Sequence, residues 1–261
     1  MTDKKPINVR PGIELGTLSD VGSVRENNED LSAYWEPPND DEFATKGRLA
    51  IVADGMGGYE GGQEASRIAV QAIEETYKKD SPSTPQSLLV EGIHTAHQRI
   101  LKYAEEHPGL AGMGTTCTAI ALVGLQLYYA HVGDSRLYLI RDNKISRLTR
   151  DHSYVNRLVE TGLISSEEAE THPHRNVLTA AVGAGTEIAP EHPAAALALA
   201  GNDVLLLCTD GLWGVVADEE IQRAVTGKRP QSACQDLVQL AKQRGGPDNI
   251  TVMILLVTNH R

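Results

Sequence analysis

Four short stretches of this chain put an aspartate where it could meet a hard cation. Ile51-Val52-Ala53-Asp54-Gly55-Met56-Gly57-Gly58 and Leu205-Leu206-Leu207-Cys208-Thr209-Asp210-Gly211 are apolar runs that stop at Asp-Gly. A run of this kind reads as a buried strand, and Asp-Gly as the turn that ends it. Tyr129-Ala130-His131-Val132-Gly133-Asp134 repeats the pattern, and Gly246-Pro247-Asp248-Asn249 opens the apolar run 250–257 in reverse. Carboxylates at strand exits can leave the core and converge, and their oxygens suit Mg, Mn and Ca. One such turn alone is more often a hairpin corner. Four at strand ends favour a shared ion site.

Other hydrolytic chemistries lack their residues. No cysteine is followed by five residues and an arginine, and no Asp-x-Asp pair offers an aspartyl nucleophile. There is no Walker A loop, no His-Glu-x-x-His helix and no Gly-x-Ser-x-Gly elbow. Gly133-Asp134-Ser135-Arg136-Leu137 resembles the Gly-Asp-Ser block of some serine esterases, but no histidine has an aspartate three residues before it. Ser135 is therefore a poor candidate nucleophile. A metal-carboxylate hydrolase remains: a pair of dications acidifies a bound water and neutralises charge on a phosphoryl group, so no protein nucleophile is needed.

A phosphate also needs a cation clamp. Arg25, in Gly22-Ser23-Val24-Arg25-Glu26-Asn27-Asn28-Glu29-Asp30, is the candidate, because a guanidinium grips phosphate with two parallel hydrogen bonds. The alternative is a surface arginine paired with Glu26 or Glu29.

The elements that must position these residues follow from the apolar pattern. Strands are expected at 13–18, 31–35 and 49–53. Helices follow over 63–79, with Ala65, Ile68, Ala69, Ala72, Ile73 and Tyr77 at helical spacing, and over 86–107. Prolines in 81–85 separate them. Four short runs come next, at 115–123, 127–132, 136–140 and 145–148, with Asp142-Asn143 as a hairpin turn. They leave no room for crossover helices, so the strands are antiparallel. The polar insert 151–182 holds a helix at 155–161 and a capping box, Ser165-Ser166-Glu167-Glu168. A strand at 204–208, helices at 218–226 and 232–244 and a last strand complete the order. Strands segregated from helices imply an α+β layered fold.

Composition sets the class. The chain has 261 residues, 41% hydrophobic and 23% charged, as in an ordinary globular protein. A net charge of −11 argues against nonspecific binding to nucleic acid or an anionic membrane. Cys117, Cys208 and Cys234 form no Cys-x-x-Cys pair and read as buried free thiols. The start, 1–12, is polar and lacks a signal-peptide core, and no apolar run could span a bilayer. The expected setting is cytoplasmic. No coiled-coil pattern is visible, and the expected state is a monomer. His152, His172 and His174 could ligate metal, but a polar insert accounts for them without it.

Taken in order, Arg25-x-x-Asn28-Glu29-Asp30, Asp54-Gly55-Met56-Gly57-Gly58, Gly114-Thr115-Thr116, Gly133-Asp134-Ser135-Arg136, Asp210-Gly211 and Asp248-Asn249 resemble the type 2C serine/threonine protein phosphatases, the metal-dependent PPM family. Leu148-Thr149-Arg150-Asp151-His152-Ser153 and His172-Pro173-His174-Arg175-Asn176-Val177-Leu178-Thr179 are similar to its bacterial branch. The resemblance spans nearly the whole chain, about 15–257. It implies a four-layer α-β-β-α sandwich of two antiparallel sheets flanked by helices. It also implies one phosphatase domain over 1–261, with 1–12 as a tail and 151–182 as a flap beside the site.

The same resemblance implies roles. Asp54 would bridge two Mn2+ or Mg2+ ions, the Gly55 carbonyl would bind one, and Asp210 and Asp248 the other. Glu29 and Asp30 would reach the ions through water. Asp134, with Asp210, would form a weaker third ion site, and Arg25 would hold the substrate phosphate. The substrates would be phosphoserine and phosphothreonine on proteins, attacked by a water between the ions without a covalent intermediate. The partners would be a cognate serine/threonine kinase and its substrates.

Two positions depart from the pattern. Met56 stands where some members carry a histidine proposed as general acid, so a water on an ion would protonate the leaving group. Ala180 stands where bacterial relatives often have arginine. A catalytically weak relative that only binds phosphoproteins and a metal phosphodiesterase acting on nucleotides are the competing readings.

Overall fold

The computed structural model describes residues 9–58 and 60–258. Most of the expected tail, 1–8, lies outside the described residues. In chain order the first elements are β1 (Ile13–Asp20), β2 (Asp30–Trp35), α1 (Asp40–Lys46), β3 (Arg48–Met56), α2 (Gly61–Lys78) and α3 (Pro85–Glu106). The middle holds β4 (Gly114–Thr115), β5 (Cys117–Val123), β6 (Gln126–Val132), β7 (Arg136–Arg141), β8 (Lys144–Arg147), α4 (Tyr154–Glu160) and α5 (Ser166–Glu170). The last are β9 (Leu197–Ala198), β10 (Val204–Cys208), α6 (Asp210–Trp213), α7 (Asp218–Val225), α8 (Pro230–Gln243) and β11 (Ile250–Val257).

The strands form two antiparallel sheets, ordered β1-β11-β10-β7-β8 and β2-β3-β5-β6-β9, with β4 paired to β3. Alternation along each strand explains the four layers. In β10, Leu205 and Leu207 point between the sheets, where they join Val52, Ile120, Leu137, Met253 and Leu255. Val204, Leu206 and Cys208 point the other way, onto Leu237, Val238 and Ala241 of α8. In β3, Val52 faces the sheet interface, whereas Ile51 and Ala53 face Ala69, Ile73 and Ile93 of α2 and α3. Strands apolar on both faces therefore bury one face in each of two cores. This is the α+β sandwich expected from the element order.

Several boundaries differ for local reasons. The run 115–123 is not one strand. Thr116 breaks it, because its N–H donates to the Asp54 carbonyl (2.8 Å) and its hydroxyl accepts from the Asp54 N–H (3.0 Å). The Asp-Gly pairs do not all end strands in turns. β3 runs on through Asp54 and Gly55 to Met56, and Asp210-Gly211 starts the short helix α6. α1 was not expected; Asn39 caps it by accepting from the Glu42 N–H (2.7 Å), and acidic Asp40, Asp41 and Glu42 fill its first turn. The Asp142-Asn143 hairpin turn is present, with φ of 50° and 56°, as is the Ser165 capping box. The three cysteines are buried and free. Among the described residues no helix is long and apolar enough to cross a membrane.

Candidate metal centre

The acids sit at one end of the sandwich, and each is fixed by backbone around it. Asp30 on β2 pairs in register with Asp54 on β3. The Asp54 carbonyl also accepts the Thr115 hydroxyl (2.8 Å), and the Thr116 hydroxyl lies 2.6 Å from that of Ser135. The Gly114-Thr115-Thr116 and Gly133-Asp134-Ser135 segments therefore brace Asp54 and each other. Ser135 is fully buried and committed to this contact, so it is structural and not a nucleophile.

Glycines let the helix start approach the strand end. A Cβ on Gly55 would lie 2.1 Å from the Gly62 carbonyl oxygen, and one on Gly62 would lie 1.8 Å from Glu29 Oε2. No side chain fits at Gly55 against that backbone, and Gly62 leaves open the space that the Glu29 carboxylate occupies.

The other sheet supplies Asp210 and Asp248. Asp210 follows β10, and a Cβ on Gly211 would meet the Asn249 carbonyl at 2.0 Å, which puts the two acidic segments side by side. Asn249 clasps the loop before β2. Its side chain donates to the carbonyls of Val21 (3.0 Å) and Asn27 (2.8 Å) and accepts from the Glu29 N–H (2.8 Å). That loop carries Arg25, whose Nη2 donates to Asp248 Oδ2 at 2.7 Å. The Thr209 hydroxyl donates to Asp30 Oδ2 (2.8 Å) across the sheets. Trp213 Nε1–H donates to the Asp134 carbonyl (2.9 Å), which ties the Asp210 helix to the Asp134 loop.

Asp30 and Asp134 are buried, Glu29, Asp54, Asp210 and Asp248 are partly buried, and Arg25 is exposed. Burial raises the Asp54 carboxyl well above its ordinary range, and repulsion from Asp30, Asp210, Asp134 and Asp248 adds to it. Burial first, then Asp210 and Asp151, does the same for Asp134. Asp30 rises to about 7, mainly through burial, although hydrogen bonds from Thr251 and Thr209 pull it down. Asp210 rises to about 6 through burial and the charge of Asp248. Burial also raises Glu29. Asp54 feels the charge of Asp30, Asp210, Asp134 and Asp248, so these acids lie around it. The predicted residues Asp30, Asp54, Asp134, Asp210 and Asp248 are thus brought together, with Glu29 and Arg25 at their edge.

Among the described residues, two buried oxygens, Asp30 Oδ1 and Asp210 Oδ1, have no hydrogen-bond partner. Orphaned carboxylate oxygens inside a cluster of like charge match the donor set of a hard divalent cation. The residues present therefore fit Mn2+ or Mg2+.

A second group was not anticipated from sequence. Ligand atoms of His131, His152 and Glu191 lie within 4.8 Å of one another. Hydrogen bonds account for it without an ion. His131 Nε2 lies 3.0 Å from the Gly133 carbonyl and 3.1 Å from that of Arg150, and Glu191 Oε2 accepts from the Arg150 N–H (2.9 Å). His172 and His174 are in the 151–182 segment, with their rings 6.1 and 6.0 Å from that of Tyr154. Ala180 packs against the helix-side core. Thr116, Thr209, Trp213 and Asn249 were missed as site residues. Their signals were adjacency alone: Thr-Thr after Gly114, Thr before Asp210, Trp three residues after it, and Asn after Asp248.

Comparison with known proteins places this arrangement. A protein phosphatase 2C family model matches residues 34–243. A serine/threonine phosphatase, stp, of Listeria welshimeri is 36% identical over 91% of this chain and 93% of its own length. The solved serine/threonine phosphatase of S. agalactiae has a TM-score of 0.86 at 34% identity, over 94% of this chain and 99% of that one. The catalytic domain of the phosphatase PstP, solved with two manganese ions, has a TM-score of 0.82 at 33% identity, over 95% and 99%. The chain belongs to the protein phosphatase 2C family.

Proposed function

We propose that this chain is a divalent-cation-dependent phosphatase that hydrolyses phosphoserine and phosphothreonine on proteins. The observation that carries this reading is the cluster of buried aspartates Asp30, Asp54, Asp134 and Asp210, two of whose carboxylate oxygens, Asp30 Oδ1 and Asp210 Oδ1, lack a partner among the described residues. Family membership and the manganese bound by the related PstP catalytic domain support it.

Asp54, the Gly55 carbonyl, Asp210 and Asp248 would hold two ions, and Asp134 with Asp210 would hold a third more weakly. Glu29 and Asp30 act through water. When bound, the ions supply an acidified water as nucleophile and neutralise the charge that builds on the phosphoryl group. Arg25 extends from the exposed rim and grips the substrate phosphate, orienting phosphorus for in-line attack. Asp248 holds the guanidinium in place at the edge of the acids. Met56 offers no proton to the leaving group. No side chain is alkylated or phosphorylated on this route.

In this reading 1–261 is one phosphatase domain, with 151–182 as a flap that shapes access. It acts in the cytoplasm as a monomer, opposite a serine/threonine kinase. Hydrolysis of a phosphothreonine peptide tests the reading: Mn2+ restores it and a chelator removes it. Activity indifferent to chelator, or kept in full by Asp210→Ala, overturns it. Faster turnover of a cyclic dinucleotide than of the phosphopeptide replaces it with the phosphodiesterase reading.

A further inference from the structure

The peptide groups on both sides of Asp134 are tied to two consecutive residues, Asp151 and His152. On the carbonyl side the chain of contacts runs through aromatic and guanidinium groups. The Asp134 carbonyl accepts from Trp213 Nε1 (2.9 Å), and the Arg136 guanidinium lies 3.7 Å over the Trp213 ring. Asp151 grips that guanidinium with two hydrogen bonds, from Nε (3.1 Å) and Nη2 (2.7 Å). On the amide side the contact is direct. The Gly133 N–H donates to His152 Nδ1 (3.2 Å), and the His152 N–H donates to the Gly133 carbonyl (2.7 Å).

These partners fix the protonation of both rings. His152 Nδ1 faces an N–H, so it carries no proton. His131 Nε2 faces the carbonyls of Gly133 and Arg150, so it carries one, and His131 Nδ1 accepts from the Thr118 hydroxyl (2.9 Å). The charged groups around His152 are Glu191, Arg150, Asp151 and Glu160, with the His131 ring 5.1 Å away. Burial lowers the His152 pKa from the ordinary histidine value, in line with the bare Nδ1 that the Gly133 N–H requires. The same residue closes the 151–182 segment: the His152 carbonyl accepts from the Thr179 N–H (2.8 Å). Gly133 has a φ of 107°, and a Cβ there would lie 2.6 Å from Thr116. Only glycine fits this conformation, and a glycine needs outside partners to hold it, here the two hydrogen bonds to His152.

We propose that His152 is a positioning residue for Asp134: its bare Nδ1 holds the Gly133 N–H in the peptide before Gly133, its own N–H holds the Gly133 carbonyl in the peptide before Asp134, and with Gly133 clamped at both ends the Asp134 carboxylate is kept on the side of Asp210. This rests on the phosphatase reading, in which Asp134 takes part in holding the weakest ion. A residue that acts through one bonded neighbour of a ligand behaves as an outer partner of the site, and loss of such partners weakens ion binding by about 10–100-fold.

Substitution by the two amides separates positioning from bulk. Asparagine places its side-chain oxygen near the Nδ1 position, within reach of the Gly133 N–H; glutamine places its amide near Nε2. Mn2+ titration calorimetry and amide hydrogen exchange are measured on the full chain for wild type, His152→Asn, His152→Gln and Asp134→Asn. His152→Gln is expected to weaken the weakest Mn2+ site about tenfold or more. It also exposes the Gly133 amide to exchange and lowers kcat with KM little changed, while the tighter sites are untouched. His152→Asn is expected to restore all three. Asp134→Asn removes the weakest site with the Gly133 amide still protected. Equal behaviour of the two amide variants, or a weakest site unmoved in His152→Gln, overturns the proposal. Wild-type protein that fails to hydrolyse a phosphopeptide overturns the functional reading instead, while Gly133 exchange still reports on His152.

Discussion

Asp30 and Asp54 stand directly opposite each other across the antiparallel β2–β3 pair. Like charges in that register repel, and burial strengthens the repulsion. That repulsion adds to the rise of Asp54, while burial above all raises Asp30 from 3.8 to about 7 and Asp210 from 3.8 to about 6. A carboxyl raised by folding binds its proton more tightly in the folded chain. Its contribution to stability is whole below about pH 4 and is lost as pH climbs through about 6 to 7. Thermal unfolding of ion-free protein is therefore expected to show a falling Tm over that window. Saturating Mn2+ flattens or reverses the fall. A Tm independent of pH in chelator rules the cluster out as an electrostatic strain.

Asp210→Asn removes one charge from the cluster and one ion ligand. Turnover of a phosphothreonine peptide is expected to drop by about 100-fold or more. Stability in chelator moves the other way, with Tm up by about 2–4 °C for each kcal/mol of repulsion relieved. Calorimetry and a phosphate-release assay on the same sample read both. A variant that is less stable in chelator contradicts the account.

Arg25 is exposed and already oriented by Asp248, so its loss leaves the fold intact. Arg25→Ala is expected to lower kcat/KM by about 10–100-fold, the worth of a charge-assisted phosphate contact. It also weakens inhibition by inorganic phosphate. Arg25→Lys restores only part of this, because an ammonium is a point charge without the planar fork. Unchanged phosphate inhibition in Arg25→Ala takes the substrate role from this residue.

Gly62→Ala places a methyl 1.8 Å from Glu29 Oε2. The carboxylate must swing away, since Glu29 is otherwise held through its backbone to Asn249, Gly55 and Ser66. Mn2+ affinity is expected to fall by about tenfold with secondary structure unchanged. Normal Mn2+ binding removes Glu29 from the site.

The sandwich and the acids were legible in the chain because both rest on short-range pattern. Apolar runs such as Leu205-Leu206-Leu207 have to be two-faced strands, and the carboxylates at their ends stand out against them. What escaped was whatever depended on three-dimensional company. Thr116 interrupts a good strand pattern because its N–H and hydroxyl are taken by the Asp54 peptide group. Asp210 starts a helix although Asp-Gly resembles a turn, and the indole of Trp213 then reaches the Asp134 carbonyl. Arg25 could be placed with Glu26 or Glu29 by proximity in sequence. It forms an ion pair with Asp248, 223 positions away, brought close by the Asn249 clasp.

The acids are shared between the two sheets. Asp30 and Asp54 belong to one, and Asp210 and Asp248 flank strands of the other. Neither half owns a complete centre, and the Thr209–Asp30 hydrogen bond is stitched across the gap. Any slippage of one layer past the other would dismantle the chemistry before it melted either half. The seam of the molecule and its working part are the same place.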